Sequence, residues 1–451
     1  MSVLPLLEKL EANLNDYSPA ERAGALAELE RLVSQGTAQL APETDVANLH
    51  CHTFFSYNAY NYSPSGLAWL ARRRGIKLLG IVDFDVLDGV DEFLDACEFI
   101  GVRGSAGMET RVYLPEFANR EINSPGEPGV YYTMGIGFTS SQVPAPVAPV
   151  LAELRRRAEG RNRDMVECIN AYLDPATIDY DRDVLPLTPQ GNATERHMLV
   201  AYTQAARRRF SDPAPFWAEK LGLTLEQVRV EMEEIPKFQN TVRTKLMKRG
   251  GVGYVQPGPD TFPTLEEVNR LVIACGALPC ATWLDGLSAG EQAIAELLSM
   301  LIGKGIAALN IVPDRNWNIP DPALRSLKLE KLYQVVQLAQ ELDLPLNVGT
   351  EMNAYGLKLV DDFDAGELLP VRRTFMDGAY FIYGHTMMQR VLGLGYQSDW
   401  AQAHMPVRRD RISFYSRLGR QTPPGATGLA MLRQFAPAAE PKDFLSTYNF
   451  E

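Results

Sequence analysis

From Asp45 onward the chain alternates short apolar runs with amphipathic stretches of helical period, and that alternation limits it to parallel-sheet or barrel architectures. The first unit is the clearest. An apolar strand from Val46 to His52 leads to Ser63-Pro64, a helix start with proline in its first turn, then to a helix over Ser65 to Arg74 that Gly75 stops. Strands follow at Leu78 to Phe84, Val102 to Thr110, Tyr131 to Gly137, Ala277 to Thr282, Ala307 to Val312 and Leu346 to Thr350. Helices are expected at Val90 to Ile100, Thr264 to Cys275, Glu291 to Ile302 and Leu324 to Leu342. Parallel strands are implied throughout.

Three segments break the alternation. Residues 1–44 carry leucines at helical spacing (Leu4, Leu7, Leu10, Leu14; Leu26, Leu29, Leu32) and read as an N-terminal helical extension. Between about 144 and 257 strand signals vanish while helices dominate (Val150 to Tyr172, Glu195 to Phe210, Leu225 to Met232), which marks a helical insertion. Residues 392–451, rich in Gly, Pro and Arg and weak in periodicity, read as a C-terminal extension that wraps the domain or is partly mobile. The division is thus 1–44, an α/β barrel or open sheet over 45–391 interrupted by its insertion, and 392–451.

With 451 residues the chain can bury a large core, and a net charge of −12 repels long polyanions, so no long nucleic acid is expected as a partner. The triplets Arg72–Arg74, Arg155–Arg157 and Arg207–Arg209 each fall late in a helical pattern and read as solvated helix ends. No window approaches the ~20 apolar residues of a membrane span, and the first residues lack a signal-peptide pattern, so a cytoplasmic protein without a membrane partner is expected. Five cysteines without paired spacing suit reduced, mostly buried thiols.

In βα architectures ligands gather at the carboxyl ends of the strands. The polar residues there are His50 and His52, Asp83 and Asp85, Glu109, Thr282, Thr350, Glu351 and Asn353. Histidines two apart on a strand share a face and can grip one ion, and the chain has only five histidines. Alone, the pair reads equally as two structural rings that satisfy local backbone groups. Likewise Glu109, in Gly107-Met108-Glu109-Thr110, reads as a ligand or as a salt-bridge partner of Arg111.

Taken in order, Asn48-Leu49-His50-Cys51-His52-Thr53, Ser105-Ala106-Gly107-Met108-Glu109 and Glu195-Arg196-His197-Met198 resemble the metal motifs of the polymerase-and-histidinol-phosphatase (PHP) family. Gly250 to Val255 and Cys275 to Ala281 resemble its bacterial branch with a helical insertion, whose members hydrolyse phosphoesters including short nucleotides. The likeness runs from about Asn48 to Ala354. It implies a distorted (β/α)7 barrel with up to three divalent metals at its mouth.

The sequence departs from that pattern at Tyr57, Phe84, Thr282, Glu351 and Asn353. By the resemblance, Tyr57, Phe84 and Asn353 would together leave one metal position empty, because none is a good transition-metal ligand. A second keeps Glu109 and His197 but loses its ligand at Thr282. The first keeps His50, His52, Glu109 and Glu351, suited to zinc, manganese or iron, so one ion, and at most two, is expected. Asp83 or Asp85 would orient a water, or cap the helix that starts near Gly89, and Arg315 would hold phosphate. Asn316 and Arg196 are the other candidates for that last role. The implied function is a divergent metal-dependent phosphoesterase acting on a small phosphorylated substrate or short nucleotide. The alternative is a barrel of the same fold that has lost catalysis and binds or regulates.

Overall fold

A computed structural model describes residues 3–446. The Leu4 side chain and residues 447–451, the end of the expected C-terminal extension, lie outside the described residues. Two helices, α1 (Val3–Asn13) and α2 (Pro19–Ser34), open the chain, and Ser18 caps α2 by accepting from Glu21 N. The barrel then runs β1 (Thr44–Cys51), α3 (Pro64–Arg74), β2 (Ile76–Phe84), α4 (Val90–Ile100), β3 (Arg103–Tyr113) and β4 (Val130–Ile136). After the insertion come α10 (below), β5 (Leu278–Trp283), α11 (Ala289–Gln292), α12 (Ile294–Gly303), β6 (Ala308–Ile311), α13 (Asp314–Trp317), α14 (Pro322–Glu341) and β7 (Leu346–Val348). Seven strands pair in sequence order, and the sheet curls until the chain after β7 meets β1. There Glu351 N donates to His50 O (2.7 Å) and His52 N to Glu351 O (2.8 Å), so the barrel is nearly closed.

The expectation of parallel strands throughout fails. The strands are not all parallel, because β4 runs antiparallel to both β3 and β5. Residues 114–129 between β3 and β4 hold a single 3-10 turn (Pro115–Phe117) and no crossover helix, so nothing carries the chain back to the start of the sheet before β4.

The insertion is helical, as its sequence indicates, and consists of α5 (Ala148–Leu173), α6 (Glu195–Arg209), α7 (Ala214–Leu221), α8 (Leu225–Glu233) and α9 (Ile235–Leu246); α10 (Leu265–Ala274) returns the chain to β5. These helices bury their own apolar group, including Ile169, Tyr202, Trp217, Val228 and Phe238, apart from the barrel core. They lean on the barrel mouth through Asn192, whose Nδ2 donates to Phe55 O (3.1 Å) and Phe84 O (2.8 Å). Arg72–Arg74 and Arg207–Arg209 do end α3 and α6, but Arg155–Arg157 lie in the first half of α5, where Asp88 and Glu153 pair them.

The weakly periodic C-terminal segment is also helical: α15 (Arg372–Leu392), α16 (Asp399–His404), α17 (Arg408–Gln421), α18 (Ala426–Leu432) and α19 (Pro441–Ser446). Helix α15 is buried along most of its length from Phe375 to Met388, so it carries no amphipathic signature. It crosses α17 where Gly384 and Gly419 face each other's chain, a closeness that any Cβ would prevent. All five cysteines are free, three of them buried, and no helix among the described residues is long and apolar enough to cross a membrane.

Candidate metal centre

Strand β1 ends inside the barrel mouth, where it places His50 and His52 beside Glu109 of β3. Both imidazoles are 1 % exposed and Glu109 is 6 %. The Oε2 of Glu109 stands 3.7 Å from His50 Nε2 and 3.5 Å from His52 Nε2. The three ligand atoms lie within 4.8 Å of one another. Two ligands about 2.0 Å from a tetrahedral ion sit roughly 3.3 Å apart, so these separations fit a shared cation and are long for hydrogen bonds.

The polar accounting agrees. His52 Nε2 and both ring nitrogens of His50 are buried with no hydrogen-bond partner. Orphaned buried groups of this kind cost on the order of 1–3 kcal/mol each unless something else satisfies them. The tautomer of His52 follows from its other nitrogen: Ser56 Oγ donates its proton to Asp83 Oδ1 (2.6 Å), which leaves the Ser56 hydroxyl oxygen to accept from His52 Nδ1 (3.1 Å). The proton therefore sits on Nδ1, and the Nε2 lone pair faces Glu109. Burial lowers the His52 pKa, but Glu109, Asp83 and Glu351 together outweigh it and hold the ring above its ordinary value. Burial alone would raise the Glu109 carboxyl; the two imidazoles bring it well below the usual range, so it stays ionised.

Asp83 accepts three hydrogen bonds, from Thr53 N (2.8 Å), Thr53 Oγ1 (2.7 Å) and Ser56 Oγ, and this saturation makes it a support beneath His52. Asp85 follows β2 in a left-handed conformation (φ 58°), with Thr110 Oγ1 donating to its Oδ1 at 2.6 Å. Burial raises the pKa of both carboxyls. Glu351 and Met352 have successive positive φ values of 65° and 56°. The Glu351 Oε2 accepts from Arg315 Nη2 (2.6 Å) and Asn353 Nδ2 (2.9 Å), so its carboxylate is ion-paired outside the three-atom group.

His197, at the third position of α6, completes a capping box: its Nδ1 accepts from Thr194 N at 3.0 Å. A ring nitrogen that accepts from a backbone N–H carries no proton, so neutral His197 bears its hydrogen on Nε2 and presents a donor. Burial lowers its pKa to about 4, which keeps it neutral. It too stands outside the three-atom group. Aromatic rings fill the neighbouring space, with Phe84 stacked on His52 (centroids 5.3 Å, planes 8° apart) and Tyr57 edge-on to His197 (5.3 Å). Thr282 is engaged in the wall, donating to Tyr132 O and accepting from Asn123 Nδ2 (2.6 Å).

Glu109 does not pair with Arg111, the partner considered from sequence. Arg111 reaches Glu127 instead, at 3.6 Å. Cys51 Sγ lies outside the group, 3.7 Å from Met352 Sδ. His385 is buried against Gly137 and accepts from Tyr396 N, and His404 accompanies Trp400, so neither approaches the mouth. Sequence reasoning missed Ser56, for which no local pattern exists, because its role depends on β2 bringing Asp83 under the loop.

No protein-family model matches the chain, and no curated protein does. Among solved structures it is similar to an amidohydrolase from Chromobacterium violaceum determined with bound sulfate and no metal. That match has 17% identity, covers 74% of this chain and 96% of that one, and has a TM-score of 0.48. It is also similar to a protein from Bifidobacterium adolescentis described as a metal-dependent phosphoesterase, with 21% identity, 73% and 97% coverage and a TM-score of 0.46.

Proposed function

We propose that the chain is a metal-dependent hydrolase of a small phosphorylated substrate, built around one divalent ion at His50, His52 and Glu109. The observation that supports this most is the convergence of two buried, unpartnered Nε2 atoms on one ionised carboxylate. Two imidazoles and a carboxylate suit zinc, manganese or iron, and such an ion supplies Lewis acidity and makes water a nucleophile near neutral pH. The protein's own groups do the rest. Asp83 and Ser56 fix the lone pair of His52, His197 offers an N–H from Nε2, and Asp85, a buried carboxyl whose pKa burial raises, is the proposed proton acceptor. Arg315 neutralises Glu351; a second ion at Glu109 and His197 would require His197 to give up either its Nε2 proton or the Thr194 N–H bond at Nδ1, so one ion is proposed.

One observation favours the non-catalytic reading: Phe84 and the engaged Thr282 occupy space where further ligands would stand, so no multi-metal clamp forms from them. Elemental analysis of the purified protein beside His52→Ala, with phosphoester turnover measured for wild type and Glu109→Gln, separates the two. About one equivalent of metal, lost in His52→Ala, with turnover abolished by Glu109→Gln, is expected. Metal without turnover would favour the binding protein. No metal after reconstitution with zinc, manganese or iron would overturn the hydrolase.

A further inference from the structure

Arg111 lies two residues beyond Glu109 on β3, hence on the same face of the strand and one step nearer its end. Its guanidinium covers the Phe262 ring at 4.5 Å and stands 5.8 Å from the Tyr132 centroid. On the same ring, at 4.7 Å, lies the guanidinium of Arg161, which comes from α5 of the insertion. One buried phenylalanine thus carries two arginines, one from the barrel and one from the insertion. Stacked guanidinium groups keep their N–H edges available, with five donors each, and Arg111 turns only one side of its fork to Glu127 at 3.6 Å.

Arg161 makes no hydrogen bond or ion pair among the described residues. The carboxylates whose charge acts most on the two arginines include Asp85, Glu127 and Glu195. Glu195 is already held by Arg243 (2.7 Å) and Lys248 (2.9 Å). Burial and the charge of Arg111 push Arg161 down to about 10, so it is cationic at neutral pH but poorly compensated.

We infer that Arg111 and Arg161, braced on Phe262, form the seat of a substrate oxyanion beside the metal centre, and that α5 of the insertion therefore completes the binding site. Its use in hydrolysis rests on the function proposed above; the seat itself does not. Arginine forks match tetrahedral or planar oxyanions, so a phosphoryl group or a carboxylate shares the required chemistry. The pair positions and selects substrate.

The test is titration of inorganic phosphate, and separately of malonate, into the full chain by calorimetry. Wild type, Arg161→Gln, Arg161→Lys, Arg111→Gln and, as a control on the same helix, Arg163→Gln are compared, with metal equivalents measured for each. The expected result is phosphate binding weakened at least tenfold in both glutamine variants, less in Arg161→Lys and not in Arg163→Gln, with metal content unchanged. Tighter malonate binding with the same dependence on Arg161 would keep the seat and make its ligand a carboxylate. Phosphate and malonate binding indifferent to Arg161 in a folded variant would overturn it. His52→Ala keeps the two proposals apart, because the seat must still bind phosphate there without metal. A metal-free wild type that binds phosphate through Arg161 would sink the hydrolase and leave the seat.

Discussion

At the scale of single residues, the centre depends on small side chains that bear no ligand. Ser56 joins Asp83 to His52 and so decides which ring nitrogen is free. Partners of that kind are worth about 10–100-fold in metal affinity. Ser56→Ala should therefore weaken metal binding by that factor in a chelator competition while the circular dichroism spectrum holds, and an unchanged affinity would reduce Ser56 to packing. Gly349 acts by absence. A Cβ there would stand 2.5 Å from both Asn48 Oδ1 and His50 N, at the seam where the chain after β7 closes on β1. Backbone cannot yield as a flexible side chain can, so Gly349→Ala should cost about 2–3 kcal/mol in denaturant unfolding, the range of overpacked cores, and should lower metal content with it.

Among elements, α13 shows how a short helix is tied to the site. It presents Arg315 to Glu351 and is anchored from behind, where Trp317 Nε1 donates to Asp361 Oδ1 at 2.8 Å. The other oxygen of Asp361 is buried without a partner, and burial raises this carboxyl to about 6 from 3.8. The folded chain therefore binds a proton there that the unfolded chain has released between about pH 4 and pH 6. The group's stabilising contribution is whole below that window, declines as the pH rises through it, and stays lost above. Asp361→Asn keeps an acceptor for Trp317 and removes the charge. Relative to wild type it should gain about 1–2 kcal/mol between pH 4 and pH 7.5, allowing for solvent screening. Parallel stability curves for the two proteins would refute this account.

Over the whole molecule, the separate apolar group of α5 to α9 suggests two cooperative units, the barrel with its flanking helices and the insertion. Native-state hydrogen exchange should show the amides of α6 to α9 opening together at a lower free energy than those of β1 to β3. A single shared opening energy would mean that the insertion is no independent unit. The hydrogen bonds of Asn192 and the ion pair of Arg155 with Asp88 are the ties such an opening must break.

Much of this was legible in the chain. Seven strands fall within a few residues of where apolar runs and turn residues place them, and Ser63-Pro64 and Gly75 bound α3 as local chemistry dictates, because hydrophobic period and capping are properties of short segments. The juxtaposition of His50, His52 and Glu109 was anticipated too, since strand ends gather at one mouth. What the sequence could not supply was any fact resting on partners distant along the chain. The reversal of β4 depends on a connection too short to hold a crossover helix. The burial of α15 depends on its packing against both the barrel strands and α17, which erases the amphipathic stripe. The pairing of Glu351 with Arg315, the tautomers of His52 and His197, and the meeting of Arg111 with Arg161 over Phe262 are each decided by residues dozens to hundreds of positions apart, or by a hydrogen bond visible only once the backbone is placed. Local propensity fixed the elements; long-range packing and hydrogen bonding fixed which polar groups face one another and what they can bind.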